Sequence, residues 1–291
     1  MYFPVSGVEV FPLWPAAGAF AVSLCCSTAG ISGAFLLLPY QVSVLGYAQP
    51  GVSATNQIFN ILACPAGVWR YGQEGRLLAP LALLLTAGTL PGVFIGAVLR
   101  VALLSSQHAF MMFAACVLLY LGWRLLAKKG KAGRAAGGVG KCQVLAASRA
   151  GFRFACQGQV YSVKALPLLA LSFIVGIVGG AYGIGGGAII VPFLTTVFGL
   201  PIHAIAGAAL LATFLTSLAG VAFYSFLAAV WRYPGAAPDW MLGLMLGAGG
   251  MAGMYCGAAL QKYLPAQALR ILIAVIILLL FIHYLIRALA L

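Results

Sequence analysis

Ten apolar segments, at about 11–29, 32–46, 51–69, 77–100, 106–126, 165–181, 186–199, 203–230, 238–261 and 266–290, take up most of this chain. Crossing the hydrocarbon core of a bilayer takes roughly 20 helical residues. The segments at 32–46 and 186–199 fall short of that. Each is entered through glycine and carries a proline a few residues on, Pro39 and Pro192. A soluble fold of 291 residues would have to hide 64% hydrophobic residues behind 7% charged ones, where soluble domains carry about a quarter charged. The expected fold is therefore an all-α polytopic membrane protein, embedded in the inner or plasma membrane by multiple passes. Short, Gly/Pro-interrupted segments at matching places in two halves point to a transporter's binding site.

The charge pattern agrees. Sixteen Lys and Arg face three acids, Glu9, Glu74 and Asp239, and nine of the bases lie between Arg124 and Lys164. A basic break between apolar spans is a cytoplasmic loop beside anionic lipid, not a nucleic-acid surface. No acid falls mid-span, which argues against a carboxylate proton relay or an acid-lined cation pore. An anion is the easier cargo. Nothing in the pattern calls for a cofactor, a metal or an enzyme's paired carboxylates, and the assembly leaves room for a homodimer. The seven cysteines show no CxxC spacing and read as small packing residues. The first fifteen residues hold no base, so the first helix is read as mature structure rather than a secretory signal.

Shifting the sequence by 153 residues lays "GISGAFLLLPY" (30–40) on "GIGGGAIIVPF" (183–193) without a gap. Shifting by 161 lays Gly88, Gly92 and Gly96 on Gly249, Gly253 and Gly257. At helical spacing each trio forms a smooth ridge on which another helix can pack closely. Two homologous transmembrane repeats are expected, 1–127 and 165–291, joined by a basic loop at 128–164 with a short β-hairpin around Gln157-Gly158. Two topologies remain. Five plus five segments with re-entrant short helices would invert the halves and leave Arg100, Arg232 and Arg287 outside. Eight spans with broken helices would make them parallel and leave Arg100, Lys262 and Arg270 outside. The positive-inside rule scores both equally. Inversion is favoured because the base-free N-terminus then lies outside.

The stretch "GGAYGIGGGAIIVP" (179–192) matches a dinucleotide fingerprint in part, but no acid follows at ribose distance. Glycine packing explains some of its residues and not three glycines in a row. A broken helix explains the rest. The new helix exposes N–H groups near Gly183, Gly185, Gly186 and Gly187, and its dipole favours an anion. Ser32 and Gly33 begin the matching helix in the first half. Thr55, Asn56 and Asn60, within "SATNQIFN", offer hydroxyl and amide donors, or bonds between helices; Asn56 and Asn60 share a helix face. His203 stands at the corresponding place in the second half, as a helix cap or as a further ligand.

"GGAYGIGGGAIIVPFL" followed by "GLPIHAIAGAALLATFLTS" resembles the second-half signature of the TauE/SafE, or TSUP, family, and "GISGAFLLLPY" with "QPGVSATNQIFN" resembles the first. Ser32 and Ala34 depart from the family's run of glycines. The resemblance implies a secondary transporter of small sulfur-containing anions, such as sulfite, sulfoacetate or related organosulfonates. A passive anion channel and a carrier of sulfur-free carboxylates are the alternatives.

Overall fold

The computed structural model describes residues 1–28, 32–127, 142–148, 150–156, 158–260 and 266–290. Gly30 and Ile31 of the first glycine motif, the basic run 128–141, Gln157 and Lys262 lie outside the described residues. A two-stranded hairpin, β1 (Tyr2–Phe3) and β2 (Val8–Glu9), precedes five helices: α1 (Leu13–Thr28), α2 (Ala34–Ser43), α3 (Gly51–Gln73), α4 (Ala79–Ala102) and α5 (Gln107–Ala127). Three antiparallel strands follow, β3 (Cys142–Ser148), β4 (Gly151–Cys156) and β5 (Gln159–Lys164). The second set of helices is α6 (Ala165–Tyr182), α7 (Gly187–Thr196), α8 (Ile202–Val230), α9 (Trp240–Leu260) and α10 (Ala266–Ala290). By length and composition α4, α6 and the stretch Ala204–Val230 of α8 suit a membrane crossing.

Glycine sets the helix pairing. A Cβ added at Gly88, Gly92 or Gly96 would run into α6 near Leu169, Phe173 and Ile177, and one at Gly176 or Gly180 would run into the α4 backbone at Thr89 and Val93. Gly249, Gly253 and Gly257 meet Ala16, Phe20 and Leu24 of α1 in the same way. A glycine costs a helix about 1 kcal/mol against alanine; here backbone contact along the whole ridge offsets that. Residue numbers rise together in both pairs, so α4 runs parallel to α6 and α9 to α1. Gly243 and Gly247 likewise set α9 parallel to α3, against Ile58 and Leu62. The remaining pair differs. Gly207 meets Tyr71, Gly67 meets Leu210, and Gly220 meets Gln57, so α3 and α8 cross antiparallel.

The most extensive packing is α4 on α6, α1 on α9 and α5 on α10. Each of these joins a helix from before the basic loop to one after it. Neither set of five helices forms a body of its own.

The strands around Gly158 form a hairpin, as the alternation of large and polar residues suggests, and β3 extends it to three strands. Cys142 and Cys156 face each other in the β3–β4 register and are joined in a disulfide. The sequence offered no spacing that would pair them, because a strand register, not a motif, brings them together.

Candidate functional site

The glycine stretch breaks the helix for separable reasons. The N–H groups of Gly183 and Ile184 both donate to the Gly179 carbonyl, at 2.8 and 3.0 Å, which closes α6. This turn needs a left-handed residue, and Gly183 has φ +79°. It also lies on the Ser53 backbone of α3, where a Cβ has no room. Gly185 is left-handed too, at φ +65°. Gly186 abuts the Thr89 side chain, and Gly187 abuts the Ala209 carbonyl and the Thr213 hydroxyl. Glycine is used at each position because the chain reverses among three other helices.

The new helix α7 starts buried, with the Gly187 N–H donating to Thr213 Oγ1 at 3.0 Å. The first break is built from different side chains. The Ala34 N–H points to Ser32 Oγ at 3.4 Å, and the Ser32 hydroxyl donates to Asn60 Oδ1 at 3.2 Å. Ser32 and Gly33 are both buried.

Asn56 ties the two breaks together. Its Nδ2 donates to the Ala34 carbonyl at 2.9 Å and to the Gly183 carbonyl at 3.1 Å, while its Oδ1 accepts from Gln41 Nε2 at 3.1 Å. The Tyr182 hydroxyl adds a second tie, donating to the Phe35 carbonyl at 3.1 Å. Segments 147 residues apart in sequence therefore meet. The Asn56 side chain spends its donors on the backbone. Thr55 lies elsewhere: its Oγ1 accepts from the Asp239 N–H at 2.9 Å, at the start of α9. His203 sits in the first turn of α8, and its side chain lies outside the described residues.

Four polar side chains near the breaks keep buried atoms without a partner. They are Ser23 Oγ, Asn60 Nδ2, both amide atoms of Gln57, and Ser217 Oγ. A Cβ placed on Gly33 would lie 3.1 Å from Ser23 Oγ, and one on Gly185 would lie 3.1 Å from Ser217 Oγ. Gln57 presses on Gly220, one turn of α8 beyond Ser217. The antiparallel crossing of α3 and α8 puts Asn60 and Ser217 at one level. Each orphaned buried group costs about 1–3 kcal/mol. Sequence spacing missed Gln57 as a site residue, since an i, i+4 pairing selects Asn56 and Asn60. Ser217 falls in the second-half stretch "HAIAGAALLATFLTS" that corresponds to "SATNQIFN", whereas Ser23 had no signal beyond residue type.

A separate groove of about 560 Å³ is lined mainly by apolar side chains, among them Pro65, Val68, Trp69, Leu211 and Phe214, together with Gln73. It lies at the far end of α3 from the breaks and has none of their polar groups.

The family model described as "Sulfite exporter TauE/SafE" matches residues 16–284. No curated protein and no solved structure matches the chain. The family match spans nearly the whole sequence, and the chain belongs to the TauE/SafE family, whose members are membrane transporters and not enzymes.

Proposed function

We propose that this TauE/SafE member is a multi-pass secondary transporter that carries a small sulfur-containing anion, sulfite or an organosulfonate such as sulfoacetate, across the inner or plasma membrane. The anion sits between the two helix breaks. Gly33, Gly185, Gly186 and Gly187 bring backbone close to it, Ser32 and Asn60 line the first break, and Gln57, Ser23 and Ser217 supply side-chain donors. Asn56 holds the breaks in register and leaves the anion to its neighbours. One observation carries this reading: five unpartnered buried polar atoms, on Ser23, Gln57, Asn60 and Ser217, lie beside the two helix starts, where N–H groups and dipoles favour negative charge. No full positive charge is needed to bind there, which suits a cargo that must also leave.

The halves are read as inverted repeats of five segments each, with α2 and α7 re-entrant. Support comes from the antiparallel crossing of α3 and α8, which the 153-residue shift makes equivalents. Equivalent helices of parallel repeats would run in the same direction. Transport then proceeds by alternating access of one repeat-derived unit against the rest.

The test is uptake of labelled sulfite and sulfoacetate by proteoliposomes. Saturable flux with counterflow is expected, and loss of flux in a folded Gly186→Leu variant. Unchanged flux in that variant would remove the site assignment. Flux that neither saturates nor exchanges would make the protein a channel, and counterflow with sulfur-free carboxylates alone would replace the substrate class.

A further inference from the structure

Arg100 is fully buried, at 0% exposure, in the last turn of α4. Counting charges treats it as a helix-end base outside the membrane, free to reach water. The structure encloses it. Its guanidinium lies 3.6 Å from the centroid of the Phe110 ring. One terminal nitrogen donates to the Leu104 carbonyl and the other to the Ala48 carbonyl, at 3.3 Å. Nε has no partner, and among the described residues no carboxylate lies within ion-pair distance. Asp239, buried as well, spends its oxygens on Ser6 and on the Leu242 N–H. A buried cation with two carbonyls and a ring face is under-compensated, and such groups are retained at a cost of several kcal/mol.

Its position gives the charge a use. The strand-bearing basic segment leads into the start of α6, and α4 runs parallel to α6. The Arg100 end of α4 therefore lies at the opposite membrane face. Ala97 and Val101, on either side of Arg100 along α4, pack in one cluster with Ala54, Tyr224, Leu227 and Ala236. The Tyr224 hydroxyl donates to the Gly180 carbonyl at 2.9 Å, one turn before the break at Gly183. Arg100 thus stands between the second break and that face. Its counterpart under the 161-residue shift is Gln261, so only one half carries the cation.

We infer that Arg100 is an anion-binding residue between the second break and the membrane face away from the basic loop, taking the oxyanion of the transported substrate on its unpartnered Nε edge. A guanidinium fork matches two oxygens of a sulfite or sulfonate group. The inference rests on the anion reading above and adds a charged station to a neutral site.

The experiment is thermal stabilisation of the purified full-length protein by sulfite, sulfate and phosphatidylglycerol, for wild type, Arg100→Gln and Arg100→Met. Sulfite should stabilise wild type, and both variants should bind it at least ~10-fold more weakly. Without anion, Arg100→Met should melt no lower than wild type, because it removes an uncompensated buried charge; a purely structural cap would lower it. Should neither variant fold, Arg100→Lys carries the test, with roughly 3- to 10-fold weaker sulfite binding expected from loss of the fork. Wild-type sulfite affinity in the variants overturns the inference. So does a wild type stabilised by no anion, or by the lipid alone. Sulfite binding that depends on Arg100 without any flux in proteoliposomes would leave this inference standing and remove the transport reading.

Discussion

The two breaks use one backbone device and load it oppositely. From α3 come four fully buried polar side chains, Ser53, Asn56, Gln57 and Asn60: Asn60 bonds to the first break, Asn56 to both, Ser53 lies against the second and Gln57 against α8. The 153-residue shift places Ala206, Ala209, Leu210 and Thr213 of α8 at the matching positions. In the second break the glycines multiply instead: Gly185 and Gly187 stand where Ser32 and Ala34 stand in the first. Side chains are supplied from one side and bare backbone from the other. A proposed anion site built this way would be asymmetric even on a symmetric scaffold. It also implies that glycine matters more in the second break and polarity more in the first.

Gly183→Ala should be among the most damaging changes. It forces a left-handed alanine, about 1–2 kcal/mol, and pushes a methyl into the Ser53 backbone, about 1–3 kcal/mol more. A large drop in melting temperature in detergent is expected; a drop of the size of an ordinary surface change would deny that α3 rests on this turn. Asn56→Leu should cost at least as much. It strips the Ala34 and Gly183 carbonyls and Gln41 Nε2 of their partner at once, at roughly 1–3 kcal/mol per orphaned group. Both melting temperature and flux should fall. Wild-type stability in that variant would show that the breaks are not tied through this amide.

A matched pair then tests the contrast directly. Gly187→Ala puts a methyl against the Ala209 carbonyl and the Thr213 hydroxyl, costing about 1–3 kcal/mol. Ala34→Gly makes the first break resemble the second and costs only about 0.5–1 kcal/mol of backbone entropy. If the two variants lose equal stability, the second break has no special demand for glycine.

The short segments, the breaks and the glycine ridges were legible because each leaves a local mark: a proline, a run of glycines, a spacing of four. The β4–β5 hairpin was legible from the alternation around Gly158. What was not legible depends on distant partners. Asn56 and Asn60 form an obvious pair by spacing, yet Asn56 bonds to Gly183, 127 residues away, and only the fold reveals that its donors are spent. Thr55 looked like its neighbours in "SATNQIFN", and helix rotation turns it to Asp239. Arg100 counted as a solvent-facing end because sequence gives depth, not enclosure. The direction of α3 relative to α8 was hidden for the same reason: positive-inside counting scored both topologies equally, whereas three glycine contacts have only one register.

The smallest expected effect on stability is also the most informative about function. Gln57 holds two unpartnered amide atoms against Gly220, and the equivalent contact of the other half is Leu210 against Gly67. Gln57→Leu copies that apolar contact into the first half. Removing an unsatisfied buried amide should leave the melting temperature unchanged or slightly raised, within about 1 kcal/mol. Sulfite flux should nonetheless fall by roughly 10-fold or more, as expected for loss of a hydrogen bond to a charged ligand. Stability and flux then move in opposite directions, which no packing role for Gln57 can produce. If flux survives in the stabilised variant, the polarity of α3 serves helix association, and the anion is held by the glycine backbone alone.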